Sequence, residues 1–291
     1  MNPARRRLLW RGGMAAGLAA AAGLAAAAGL VVAGGAAASA SSSVTSHRTS
    51  RPLPTVVLVH GAWANGASWD GVVQRLQQDG YTVDVPANPL QGLAFDPVYL
   101  ADFLHTISGP IILVGHSYGG AVITNAATGD PQVKALVYVD AFAPDQGQTL
   151  GQLVSAVPGS CVAAADPTTI FNLAPIPGAP AGVFDAYVKQ SLFPSCFANG
   201  LPAREARMLA ATQEPLSTIA LSQPSGVPAW KTIPSWAVIG TADRVILPAE
   251  QLAMARHAHA HITEVHAPHL SMISDPGVVS RVIVEAADAT G

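Results

Sequence analysis

Ten residues constrain this chain more than any others: Ile111-Ile112-Leu113-Val114-Gly115-His116-Ser117-Tyr118-Gly119-Gly120. The four apolar residues Ile111 to Val114 predict a buried strand, and Ala121 to Ala127 predicts a helix. Between them lies Gly-X-Ser-X-Gly. A strand, a sharp turn with a serine at its tip and then a helix is the context in which this pattern presents a nucleophile. The turn forces Ser117 into a strained backbone, while Gly115 and Gly119 let strand and helix approach closely. The serine oxygen then sits at a helix N-terminus, where free amides and the dipole favour a developing anion. The pattern also arises by chance in a chain with 27 glycines. An ordinary strand-turn-helix crossover reads the same way, so the decision rests on partners elsewhere.

The N-terminus is set aside before any fold argument. Arg5, Arg6, Arg7 and Arg11 make a positive head, and Met14 to Ala38 is an uncharged stretch of mostly Ala, Gly, Leu and Val. Ala38-Ser39-Ala40 fits an A-x-A cleavage site. Residues 1–40 therefore read as an export signal, and Arg5-Arg6-Arg7-Leu8-Leu9 resembles the twin-arginine pattern. The alternative is a retained membrane anchor, since about 20 apolar residues span a bilayer. Scarcity of Leu, Ile and Phe favours cleavage, and with it an extracytoplasmic or secreted protein without stable membrane association. Residues 41–54 read as a polar, flexible leader. Beyond residue 40 the chain carries 11 basic and 18 acidic residues, a formal charge of −7. That gives no reason to expect nucleic acid as a partner. The two cysteines, Cys161 and Cys196, suit a disulfide in an exported protein, against the alternative of two buried thiols.

From Thr55 onward, apolar runs alternate with helical patterns. Strands are expected at Thr55–Val59, Tyr81–Val85, Ile111–Val114, Val133–Val139, Ser235–Ile239 and Ile262–His266. Helices are expected at Ser68–Asp79, Asp96–Ser108, from Ser117, at Pro248–Ala258 and at Asp275–Ala287. This alternation predicts an α/β fold, a mostly parallel, doubly wound sheet. The pattern breaks between about Pro144 and Pro234, where prolines and both cysteines gather. Residues 144–233 read as an inserted helical cap, with short helices near Phe184–Gln190 and Arg204–Thr212, over a core of residues 55–143 and 234–291.

An alcohol is a poor nucleophile at neutral pH; it needs a base, an orienter for that base and donors for the oxyanion. Parallel sheets present such groups at the carboxyl ends of their strands. Asp243 follows the Ser235–Ile239 strand and His269 follows the Ile262–His266 strand, so the chain order is Ser117, Asp243, His269. Asp140 also lies past a strand and is the alternative acid. Of the nine histidines, His257, His259 and His261 gather on a polar helix end. His266 falls too early for a loop that must reach back, and His116, adjacent to Ser117, points away from it. The expected oxyanion donors are the amides of Tyr118 and of Ala62, in the tight His60-Gly61-Ala62-Trp63 turn.

These stretches resemble the α/β-hydrolase fold: Val56 to Trp63 with Trp69, Gly115 to Gly120, Gly240-Thr241-Ala242-Asp243-Arg244, and His269. Within that superfamily they are similar to the small esterases that include methyl-salicylate-type esterases and hydroxynitrile lyases. The resemblance covers about Thr55 to Ala287. It implies ester hydrolysis through an acyl-enzyme on a small-molecule ester, with no metal and no organic cofactor. Ser117 argues against the dehalogenases and epoxide hydrolases of this fold, which use an aspartate nucleophile. The plant hydroxynitrile lyases carry a lysine after the histidine and a threonine three residues before His-Gly; here those positions are Leu270 and Val57. Lyase or cofactor-free perhydrolase (haloperoxidase) chemistry on the same scaffold remains the alternative. Trp63 and Tyr118 are expected to line the pocket, with Phe184, Tyr187 and Leu192 as a roof; a purely structural role for these aromatics is the competing reading.

Overall fold

The computed structural model describes residues 52–291. The expected export signal and most of the expected leader lie outside the described residues. In chain order, the first half is β1 (Thr55–Val59), α1 (Asp70–Gln78), β2 (Val83–Asp84), α2 (Asp96–Leu104), β3 (Ile111–His116), α3 (Tyr118–Ala126) and β4 (Val133–Val139). The middle is α4 (Leu150–Ala156), β5 (Phe171–Pro175), β6 (Phe184–Val188), α5 (Ala203–Thr212) and β7 (Leu216–Ser217). The last part is β8 (Ser235–Gly240), α6 (Pro248–His257), β9 (His261–Val265), α7 (Ser271–Ser274) and α8 (Pro276–Thr290).

Six strands form one parallel sheet in the order β2-β1-β3-β4-β8-β9. β3 lies inside the sheet and is buried at all six positions. That is why its sequence is a continuous apolar run rather than an alternation. Helices cover both faces: α1 and α8 pack together on one side, α2 and α3 on the other. Ser117, Asp140, Asp243 and His269 all follow the carboxyl ends of β3, β4, β8 and β9, so the topology alone gathers them at one edge.

The region between β4 and β8 departs from the helical expectation. It holds helices α4 and α5, and also a three-stranded antiparallel sheet, β5-β6-β7. The segment expected as a helix near Phe184–Gln190 is strand β6. Phe184 and Tyr187 have helical spacing, but burial follows period two: Ala186 and Val188 are buried and Tyr187 between them is half-buried. Hydrogen bonding to β5, the strand eight residues upstream, decides the matter. The expected strand Tyr81–Val85 shortens to Val83–Asp84 at the sheet edge. Cys161 and Cys196 are joined by a disulfide.

Candidate active site

Ser117 occupies a turn with φ 52°, a left-handed conformation that costs a non-glycine residue of the order of 1–3 kcal/mol. Both sides of its peptide are held: its N–H donates to Val139 O, and its C=O accepts from Phe142 and Gly120. The neighbouring glycines are required sterically. A Cβ on Gly115 would lie 2.6 Å from Gly119 O, and one on Gly61 would lie 2.6 Å from Ser117 Cβ. The Gly61 turn therefore abuts the serine directly.

His269 Nε2 lies 2.9 Å from Ser117 Oγ, and its Nδ1 lies 2.7 Å from Asp243 Oδ2. Asp243 also accepts from Val245 N, Ile246 N and Gln251 Nε2. Every one of these partners is a donor, which suits an ionised carboxylate and places the ring proton of His269 on Nδ1. Burial drives His269 down to about 3, so the ring is neutral at rest and Nε2 has a lone pair free for the serine proton. Burial also pushes Asp243 well up, against the pull of its hydrogen bonds.

Asp140, the alternative acid, sits in the same layer but does not reach His269. Its oxygens accept from Gly240 N (2.7 Å) and Ser271 N (3.0 Å), tying the end of β8 to the loop that carries His269. Burial, then the charge of Asp243, pushes Asp140 well above the usual carboxylate range. His116 is wholly buried and its Nε2–H donates to the carbonyl of His269 (3.0 Å), so it supports the loop rather than the serine.

Among the described residues, the buried amides of Ala62 and Tyr118 have no hydrogen-bond acceptor. Tyr118 is the first residue of α3, whose leading N–H groups have no intrahelical partner. The Ala62 amide is aimed by His60. Asn88 N–H donates to His60 Nε2 (3.3 Å), which leaves the proton on Nδ1, and Nδ1–H donates to Gly61 O (3.0 Å). A trans peptide points its C=O and N–H in opposite directions, so holding the Gly61 carbonyl fixes the Ala62 N–H on the other side. Burial lowers His60 and keeps it neutral in this role. The Tyr118 side chain runs inward, where its hydroxyl donates to buried Asp96 (2.6 Å). It is an anchor for the serine turn and not a pocket wall.

A cavity of about 370 Å³ reaches the site through Trp63, the residue after Ala62; Ser117 and His269 are not in its wall. Its walls are apolar, with Trp63, Val154, Phe171, Leu173, Phe184 and Leu216 prominent among them, and no charged side chain lines it. Trp63 and Phe184 both lie in this wall. Tyr187 and Leu192 do not line the cavity: Tyr187 leaves the opposite face of β6 from Phe184 and Ala186, and Leu192 lies in a turn. The inward residues of that turn are Phe193 and Phe197, and the Phe197 ring packs edge-on to His269 at 5.0 Å. The sequence pattern points to neither Phe197 nor Asn88, and it marks His60 and Asp96 only as a turn residue and a helix start. A Phe pair four residues apart beside Cys196 was the one available signal for Phe197.

A family model described as the alpha/beta hydrolase family matches residues 56–282. The chain belongs to the alpha/beta hydrolase family. Two curated relatives match over part of their length. A carbendazim-hydrolyzing esterase of Nocardioides sp. (strain SG-4G) is 37% identical over 34% of this chain and 46% of its own. A pyrethroid hydrolase of Sphingobium wenxiniae is 36% identical over 32% of this chain and 38% of its own. The chain thus spans less than half the length of these two relatives. Among solved structures, an extracellular alpha/beta-hydrolase from a Paenibacillus species superposes with a TM-score of 0.62 at 21% identity, covering 81% of this chain and 99% of that one. It is described as sharing structural and functional homology with tobacco salicylic acid binding protein 2, and the likeness shows that the two chains share a fold.

Proposed function

We propose that this family member is an exported serine hydrolase that cleaves uncharged, apolar carboxylic esters. The observation that carries the reading is the continuous path Asp243–His269–Ser117, at 2.7 and 2.9 Å, next to the unpaired amides of Tyr118, which follows the serine, and Ala62, in the turn that abuts it. Ser117 Oγ attacks the ester carbonyl as His269 Nε2 takes its proton. The carbonyl oxygen becomes an oxyanion held by the two amides. His269 returns the proton to the leaving alkoxide, giving an alcohol and an acyl-Ser117. Water, deprotonated by His269, then attacks the acyl group and releases the acid. The uncharged cavity walls support an apolar ester arm, and the partial likeness to an esterase and a pyrethroid hydrolase supports ester chemistry. Export is supported by the arginine-headed N-terminal pattern and by the disulfide, which persists in oxidising compartments. Leu270, buried where a cyanide-holding lysine would sit, favours ester cleavage over cyanohydrin cleavage.

The test is Ser117→Ala. It is expected to abolish hydrolysis of short-chain nitrophenyl esters and labelling by a fluorophosphonate probe. Full retention of either, or cyanide release from mandelonitrile exceeding ester turnover in the unsubstituted protein, would overturn the reading.

A further inference from the structure

Trp63 is the one residue shared by the oxyanion turn and the cavity wall. It follows Ala62 directly and holds φ 57°, a left-handed conformation unfavourable for a large side chain. Such a conformation persists only where the surroundings over-determine it. Here they do, and every tie comes from the segment between β4 and β8. The indole Nε1–H donates to Ala186 O on β6 (2.8 Å), and the Trp63 amide donates to Glu214 O (2.8 Å). Asn65 adds a bond from Nδ2 to Thr212 O (3.2 Å). The ring stacks on Phe171 of β5 (5.3 Å between centroids) and meets Phe197 edge-on (5.7 Å). Phe197 in turn covers His269. Ala186 and Phe171 both line the cavity, so the anchor of the indole and the surface that receives an apolar ester arm are the same two strands.

We propose that Trp63 is a positioning residue that couples the apolar cavity to the oxyanion hole: an ester arm seated against it tightens the main chain that presents the Ala62 amide, so cavity filling is read out as turnover rather than affinity. The inference rests on the ester-hydrolase reading of Ser117. Binding energy from a remote, unreacting arm raises kcat only when it is spent on an interaction that strengthens in the transition state. A strained residue one peptide away from an oxyanion donor is a place where that expenditure can occur. Small displacements suffice, because catalytic donors lose their effect over distances of about 1 Å.

The experiment is steady-state kinetics on nitrophenyl esters from acetate to octanoate, with the unsubstituted protein, Trp63→Phe and Phe171→Ala. Trp63→Phe keeps a ring between Phe171 and Phe197 and deletes the indole donor. In the unsubstituted protein kcat is expected to rise along the series. Trp63→Phe is expected to flatten that rise. On the longer esters kcat falls about tenfold, less than the 10²–10³ lost when an oxyanion donor is removed outright. KM there stays within about twofold, and the loss of kcat on acetate is several-fold smaller than on octanoate. Phe171→Ala keeps the indole bond but widens the cavity and removes the ring stacked on Trp63, and is likewise expected to flatten the rise of kcat with chain length. Three results overturn the proposal: a kcat independent of chain length in the unsubstituted protein, a Trp63→Phe effect confined to KM, or an equal loss of kcat on acetate and octanoate. An unsubstituted protein that takes no fluorophosphonate and cleaves no ester overturns the hydrolase reading itself, and is distinguished from the other three by that labelling.

Discussion

Asp140 and Asp243 are both fully buried aspartates at strand ends, and the groups they face separate them. Asp243 meets two amides, the Gln251 side chain and the His269 ring; Asp140 meets only the amides of Gly240 and Ser271. Asp243→Asn presents an amide where the ring needs an acceptor, and the wrong histidine tautomer results. A loss in kcat of about 10⁴ is expected, as in other Ser-His-Asp systems. Asp140→Asn leaves the acceptor of His269 in place but turns a nitrogen toward a backbone N–H that has no other partner. It is expected to cost about 1–3 kcal/mol in urea unfolding, with a far smaller loss of kcat than Asp243→Asn. Comparing kcat and unfolding free energy for the two variants checks both statements. The sequence placed both aspartates at strand ends, because strand ends can be read from apolar runs. Chain order favours Asp243 and keeps Asp140 as the alternative, because the hydrogen-bond partners from Gln251 or Ser271 that separate them are set by tertiary packing. Asp96 was legible only as a helix start beside Pro97; its role depends on the Tyr118 hydroxyl, 22 residues away.

At the scale of elements, legibility follows the range of the forces involved. The strands β1, β3, β4, β8 and β9 announce themselves because a strand buried on both faces must be apolar throughout. Their order in the sheet, β1-β3-β4-β8-β9, is their order in the chain, as expected where successive strands lie side by side. β6 was misread because its residues satisfy two periodicities at once, and only pairing with β5 chooses between them. The disulfide binds this less legible region into one piece. Cys161 adjoins Val162 and Ala163 of the cavity wall, and Cys196 adjoins Phe197 over His269. Its 35-residue separation corresponds to roughly 3–4 kcal/mol in the chain-entropy account of cross-links. Replacing both cysteines by serine is therefore expected to lower the thermal midpoint by several degrees. Turnover of longer esters is expected to suffer more than that of acetate, since the cavity wall and the Phe197 shield both loosen. Calorimetry beside the ester series measures the two effects separately.

Across the whole molecule, the site is assembled from groups that dislike charge where they sit, and this ties stability to pH. His60, His116 and His269 are buried and held below the usual histidine value, chiefly by desolvation. Asp96, Asp140 and Asp243 are pushed upward by the same cause. The two sets oppose each other in the summed stability, so a single group is best isolated by difference. His116 serves because its side chain bonds a backbone carbonyl rather than the serine hydroxyl and lines no part of the cavity, although its ring packs 4.8 Å from that of His269. In the unfolded chain it gains a proton as pH falls through about 6.5, while the folded chain refuses one. The unfolded state then binds more protons, and stability drops as pH falls below 6.5, at up to about 1.4 kcal/mol per pH unit. Above pH 7 the contribution is constant. His116→Gln has no such titration, although it forfeits contacts beneath the His269 loop and starts less stable. The stability gap between the protein and this variant is therefore expected to be flat from pH 8 to 7 and to narrow steadily from 6.5 to 5. Urea unfolding at each pH reads that gap directly; a gap that widens on acidification would mean the folded state accepts the proton, and that His116 is not the neutral support its buried bond to the His269 carbonyl makes it.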